Sequence, residues 1–266
     1  MPVSLKREIK IFFTALMFYT RLPCPKWTNH EPDMLNKASR YFPLIGWIVG
    51  AIMAFVFQVT FLLFDSTIAI LMSMLSGVLV TGAFHEDGLA DAYDGFGGGW
   101  TKLKILDIMK DSRVGTYGAT ALFFLYALKF ATLSKVLMFL EPQNYSMIYL
   151  VFICYHALAR FVAISIVFTE EYSRDDASSK VKPIATTVGI KDIVLATFFG
   201  LLPLVVLSYF NIKVLLVLLV LLFLRQYSVG FFNKWIKGYT GDCLGAVEQI
   251  AEVFILLGFS IIWKFF

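Results

Sequence analysis

Residues 42–64 read FPLIGWIVGAIMAFVFQVTFLLF, with no Asp, Glu, Lys or Arg among them. A helix rises ~1.5 Å per residue and the hydrocarbon core of a bilayer is ~30 Å thick, so about 20 such residues cross it. The whole chain agrees with this stretch. Hydrophobic residues make up 59% of its 266 positions and charged residues 16%, with a mean hydropathy of +0.75. A soluble domain holds ~45–50% apolar and ~25% charged residues, and has nowhere to hide this much apolar surface. The fold class is all-α, a polytopic bundle of transmembrane helices.

Working outward from 42–64, further apolar runs between charged or Pro/Gly punctuation fall at about 67–84, 116–140, 146–168, 192–210, 212–229 and 244–263, which makes seven spans. The run at 8–20 is too short to cross comfortably and reads as a short interfacial or re-entrant helix. The basic start MPVSLKREIK is followed by no small-residue cleavage site, so a cleaved signal peptide is not expected. Connections near 65, 141–145 and 211–213 are short, whereas those at 21–41, 85–115, 169–191 and 230–243 are long and polar. Long and short alternate, so every long connection lies on one side. Cations follow the same division: Lys6, Arg7, Arg40, Lys102, Arg174, Lys180, Lys182 and Lys237 are among those on the long-loop side, against only Lys213 and Lys264 on the other. The excess of Lys and Arg places the long loops in the cytoplasm and the C-terminus outside. Residues 1–266 are expected to form one integral membrane domain, with 85–115 its cytoplasmic-side acidic and Gly-rich catalytic segment.

Other classes find little support. The net charge of +4 comes with no run of five basic residues, which argues against nucleic acid as a partner. Cys24, Cys154 and Cys243 are scattered and form no CxxC, so neither a disulfide framework nor a zinc site is implied.

Chemistry concentrates in HEDGLADAYDGFGGG, residues 85–99. If the helix of 67–84 continues through it, Asp87, Asp91 and Asp94 fall at i, i+4 and i+7, within an arc of about 60° on one face. Like charges on one stripe cost a helix a few tenths of a kcal/mol per pair, which a cation among them would offset. Oxygen ligands of this kind suit Mg²⁺ or Mn²⁺. The plainer alternative is a solvated acidic helix end, although such a face normally interleaves lysine. Gly95, Gly97, Gly98 and Gly99 are expected to break the helix and let the backbone approach a ligand, or else to form a flexible turn. Asp107 and Asp111 are again one turn apart. Folded back against the first stripe, they bring five carboxylates together, about the number two metal ions bridging phosphate oxygens require. Lys110 and Arg113 either neutralise phosphate or pair locally with Asp107 and Asp111. His85 lies about 160° from Asp87 on such a helix and reads as an interfacial histidine.

Inside the spans, Lys129 and Arg160 are ionisable residues in an expensive place. Two readings stand: they reach toward an anionic substrate in a polar cavity, with His156 a turn before Arg160, or they pair with Glu248 or Glu252. Asp242, in GYTGDCLGA at 238–246, is either a substrate contact or a helix N-cap.

FHEDGLADAYDGFGGG (84–99), IMKDSRVGTYGA (108–119), FYTRLP (18–23), YFPLIGWIVG (41–50) and GYTGDCLGA (238–246) with Glu252 after it together resemble the cobalamin synthase family, the adenosylcobinamide-GDP ribazoletransferases. The resemblance implies a multi-pass enzyme of the bacterial inner membrane. It would be Mg²⁺-dependent and join adenosylcobinamide-GDP to α-ribazole or its 5′-phosphate with release of GMP, late in vitamin B12 synthesis. The partners so implied are those two substrates and the lipid bilayer, and a homo-oligomer is allowed. A corrinoid is too bulky for a closed pocket and calls for apolar faces between spans. The family's acidic motif maps onto Glu86, Asp87, Asp91 and Asp94; Ala92-Tyr93 stands where the family often has Thr-Ala, and no acid is lost. Asp91-x-x-Asp94-Gly95 followed by Asp107-x-x-x-Asp111 is similar to the CDP-alcohol phosphotransferase signature, from which Gly98-Gly99 and Leu103 depart. By that analogy Asp111, with Asp91 and Asp94, is catalytic, and Asp111 accepts the hydroxyl proton. The rival readings are a cation-coupled transporter, whose site would lie near the midplane, and a non-catalytic scaffold, which leaves the acidic stripe unexplained.

Overall fold

The computed structural model describes residues 3–28, 31–140, 144–173 and 188–265. Among these residues eleven α-helices follow in order: α1 (Val3–Tyr19), α2 (Pro32–Ala38), α3 (Phe42–Phe61), α4 (Ser66–Thr81), α5 (Phe84–Gly98), α6 (Lys102–Ile108), α7 (Thr116–Phe139), α8 (Tyr145–Val167), α9 (Ile190–Phe210), α10 (Val217–Ile236) and α11 (Gly241–Phe265). No strand occurs among the described residues, and the only bridge of that kind is an isolated pairing of Tyr172 with Tyr239. Of the cations that assigned sidedness, Arg174, Lys180 and Lys182 lie outside the described residues.

Among the described residues six helices, α3 and α7 to α11, are long and apolar enough to cross a membrane, and α4 with α5 pass the same test together as a bent pair, a broken span or a re-entrant loop. The count reaches the seven expected if that pair is one span, but its first helix does not run straight into the acidic segment. The chain bends by 86° between α4 and α5, because Gly82 (φ 67°) and Ala83 (φ 58°) are both left-handed. Gly82 adopts that conformation freely, while Ala83 bears a Cβ penalty of roughly 1–2 kcal/mol. The segment after α1 packs into the bend: the Arg21 N–H donates to Val80 O at 2.7 Å, and the Arg21 side chain fills the space beside Gly82. α1 is not among the spans. It buries one face, Ile11, Ala15, Leu16 and Tyr19, at the spacing of an amphipathic helix.

α8 is the hub, packed by α3, α9, α10 and α11. Gly46 and Gly50 put the α3 backbone directly on α8, where a Cβ would stand 2.7 Å from His156 O and 2.6 Å from Phe152 O. This is small-xxx-small packing, the usual source of helix association where lipid removes the hydrophobic drive. α5 crosses α11 as closely: a Cβ at Gly88 would meet Asp242 at 3.2 Å, and one at Gly245 would meet His85 O at 3.0 Å. These contacts fix the acidic helix across the long-loop end of the bundle.

Candidate active site

Asp87, Asp91 and Asp94 lie on one helix, α5, yet their surroundings change along it. Asp87 is exposed, Asp91 half-buried and Asp94 buried. Asp94 accepts from two backbone amides at the start of α7, Gly115 N at 2.6 Å and Gly118 N at 2.9 Å. A Cβ at either glycine would stand 2.5 Å from the Asp94 carboxylate, so the glycines of RVGTYGA make room for this clamp. The carboxylate also sits at the positive end of the α7 dipole. Glu86 departs from the stripe. It is buried, one of its oxygens has no hydrogen-bond partner, and it lines a small cavity with Lys129 and Glu252.

The glycines do not break α5 where expected. Gly95, Gly97 and Gly98 are helical and the helix ends at Gly99. They serve packing: Gly95 lies under Met109, Gly99 under Ile105 and Gly97 under the Tyr117 ring, which lets α6 fold back on α5 as anticipated. Asp107 and Asp111 do not complete a five-carboxylate cage, however. Among the described residues no three of the five aspartates bring ligand oxygens within 4.8 Å of one another. Asp107 pairs with Lys104 at 3.6 Å. Asp111 accepts from the Arg113 guanidinium at 2.6–3.1 Å and from the Arg113 N–H at 3.1 Å. That grip holds its pKa down to about 2. Asp242 is not the N-cap of α11. Thr240 is, its hydroxyl accepting from Cys243 N at 3.3 Å, while Asp242 sits in the first turn with its main chain against Gly88.

A second charged group lies inside the bundle. Lys129 Nζ is 2.6 Å from Glu252 Oε2, and Arg160 is 2.7 Å from Glu248 Oε1 and 3.3 Å from Glu252 Oε1. His156 Nδ1 meets Glu252 Oε1 at 2.6 Å, and Lys129 also reaches Gln249, which the sequence reading did not single out. Of the two alternatives for these cations, the ion pair is what the structure displays. His156, Glu248 and Glu252 are the one trio of the described residues close enough to hold a metal. Two cationic side chains already pair with its two carboxylates.

Hard oxygen donors at Asp87 and Asp91, a turn apart on an open face, fit Mg²⁺ well. Mg²⁺ usually keeps several waters and takes one or two carboxylates plus substrate phosphates rather than an all-protein cage.

A groove of about 580 Å³ runs between α5, α7, α10 and α11. Tyr93, Phe96, Tyr117, Phe223, Tyr227 and Phe231 contribute to its walls. Sequence reasoning missed it, although Phe223, Tyr227 and Phe231 recur every four residues on one face of α10, stacked at centroid spacings of 6.2 Å.

Comparison with known proteins bears on this geometry. The chain is 46% identical over 257 residues to an adenosylcobinamide-GDP ribazoletransferase of Shewanella oneidensis, covering 96% of each. It is 46% identical over 248 residues to that of Shewanella frigidimarina (93% of this chain, 92% of the other), and 44% identical over 257 residues to that of Shewanella baltica, again 96% of each. No solved structure matches it. The family model described as cobalamin-5-phosphate synthase matches residues 11–260. With 250 of 266 positions inside that match, the chain belongs to the cobalamin-5-phosphate synthase family.

Proposed function

We propose that this chain joins adenosylcobinamide-GDP to α-ribazole or its 5′-phosphate with release of GMP, at a Mg²⁺-dependent site on α5 and α6 that faces the cytoplasm at the inner membrane. One observation carries the placement. Asp87 and Asp91 share an open face of α5, and the cationic Lys110–Arg113 turn follows the helix, α6, that packs on it. A diphosphate needs both features, donors for its counter-ion and positive charge for its own oxygens. Family membership leaves the transporter reading without support.

The residues divide the work as follows. Asp87 and Asp91 would hold the ion, which offsets diphosphate charge and stabilises the departing GMP. Asp94 sets the distance between α5 and α7 by its two amide bonds, and Asp107 balances Lys104. Arg113 is the substrate clamp: a bidentate guanidinium exchanges one anionic partner, the Asp111 carboxylate, for another, a phosphate. That exchange frees Asp111 to take the proton from the ribazole hydroxyl as its oxygen bonds to the phosphorus next to cobinamide. The bond broken is that phosphorus to the bridging oxygen, which leaves with GMP. With Arg113 in place, a carboxyl of pKa about 2 is a feeble base, so proton transfer waits for substrate. Glu86 faces the bundle interior and acts from behind α5, beside Lys129.

The test is GMP release by purified protein in detergent given adenosylcobinamide-GDP, α-ribazole 5′-phosphate and Mg²⁺. Turnover should stop with chelator and return with added Mg²⁺; release that ignores chelator removes the metal from the site.

A further inference from the structure

We propose that the aromatic groove between α7 and α10 receives the benzimidazole base of the ribazole acceptor, an inference that rests on the functional reading above. The groove belongs to the acidic helix as much as to the spans. Its upper wall is the face of α5 opposite the carboxylates, Tyr93 and Phe96, and its rim is Gly97 with Tyr117. Tyr93 precedes Asp94, and Tyr117 lies between the two glycines whose amides hold Asp94. A ligand seated there lies against the C-terminal half of α5, the helix that carries Asp91 and Asp94. From Phe232 the lining continues down α10 to Val220, roughly 18 Å at helical rise.

The lining chemistry selects among occupants. No charged side chain contributes to it and half of its residues are aromatic. Phe96 lies parallel to Phe232 with centroids 5.8 Å apart, and Phe223, Tyr227 and Phe231 form a parallel ladder. Such walls favour a flat, neutral, aromatic ring, which stacks on them. The diphosphate substrate does not suit the groove, for it is anionic and fringed with amides that would find no partners in so apolar a lining. Its corrin is also too large for about 580 Å³. An acyl chain would be met as well by aliphatic walls, so the aromatic ladder would go unexplained. The acceptor is the remaining partner, and its base is a methylated bicycle with its polar atoms on the ribose side.

Binding is measured directly, by the fluorescence of α-ribazole titrated against the full chain in nanodiscs, with neither corrinoid nor Mg²⁺ present. Phe223 and Tyr227 are 72% and 62% exposed, so Phe223→Ala and Tyr227→Ala leave the packing of the bundle intact. Each should weaken ribazole binding about fivefold, by loss of stacking. Val220→Trp, which fills the groove from its deep end, should weaken it more than tenfold. KM for adenosylcobinamide-GDP should stay within twofold in all three. Unchanged ribazole affinity in both truncated variants overturns the proposal, as does a rise in the KM for adenosylcobinamide-GDP instead, or co-purified lipid that leaves as the groove is filled while ribazole binds as before. Wild-type turnover separates this failure from the larger one. Where wild type releases GMP, only the groove assignment falls; where it neither turns over nor binds ribazole, the functional reading falls with it.

Discussion

Two charged regions of this molecule are built from the same residue types to opposite ends. Inside the bundle, Glu248 and Glu252 sit among Lys129 and Arg160, all of them at least nine-tenths buried, with nitrogen–oxygen distances of 2.6–3.3 Å. Charge meets charge within the protein. On α5, Asp87 and Asp91 share a face a turn apart, exposed and half-buried, and the stripe carries no lysine or arginine of its own. In a membrane bundle the first arrangement joins helices, here α7, α8 and α11. The second presents carboxylates toward the surface, where the proposed function seats a metal ion. The difference is one of balance and access, not of acid content.

The sharpest way to break the comparison is to remove one charge from each. If Asp91 holds the ion as proposed, Asp91→Asn should cost at least a thousandfold in kcat, about 4 kcal/mol, far out of proportion to any fall in the thermal midpoint. Stopped-time GMP assays and a melting curve in detergent decide it; a variant that still turns over at a tenth of the wild-type rate ends the catalytic assignment of the stripe. Glu252→Gln should do the reverse first. It leaves Lys129 and Arg160 short of a carboxylate inside the bundle, at a cost of about 3–5 kcal/mol, so protein yield and melting temperature fall before kinetics can be compared. Lys129→Met combined with Glu252→Leu should recover much of that loss, since exchanging a buried pair for apolar residues is often neutral. A double variant as unstable as the single one would mean that the cluster is held for its chemistry.

Asp94 sits between the two regions and sharpens the contrast. Its carboxylate is spent on Gly115 and Gly118 amides. Asp94→Asn keeps one acceptor oxygen for two donors, so an amide at the start of α7 goes unpaired at about 1–3 kcal/mol. Both stability and turnover should therefore drop, in contrast to Asp91→Asn. A melting temperature equal to wild type would show that Asp94 is free to serve as a ligand instead.

The spans were legible because a run such as 42–64 is decided by length and apolarity alone, with no partner needed. The stripe was legible for the same reason: i, i+4, i+7 spacing is local. What the sequence could not show is the turn at Gly82–Ala83. One of its two left-handed residues is an alanine, which carries no turn signal, and the segment packed into it, at Arg21, is distant in sequence. Nor could spacing tell that the glycines at 95, 97 and 99 are seats for Met109, Tyr117 and Ile105, since a glycine reads alike whether it frees a backbone or admits a neighbour. Lys129 and Arg160 were ambiguous on the same ground. A cation in a span announces cost, but its partner is set by which faces of α7, α8 and α11 meet.

Arg113 offers the smallest and most discriminating change. It and Asp111 are exposed at the surface, 86% and 38% by side chain, so their pairing contributes little to stability in water and Arg113→Gln should leave the melting temperature where it is. The sign of the pH effect follows from the direction of the shift. Asp111 has a folded pKa of about 2, below its ordinary 3.8, so whatever stability the pair gives is present above the unfolded value and is lost only as pH falls toward 2. Between pH 5 and 9 neither protein changes charge at this position, and their pH–rate profiles should superimpose. Binding is where the variant should differ. Without the guanidinium the diphosphate loses one clamp, and KM for adenosylcobinamide-GDP should rise about fivefold while kcat stays within twofold, the pattern of an interaction made equally in ground and transition states. The opposite split, a fall in kcat at constant KM, would place Arg113 at the transition state and leave Asp111 still gripped when the proton must move; the base would then have to be sought on α5.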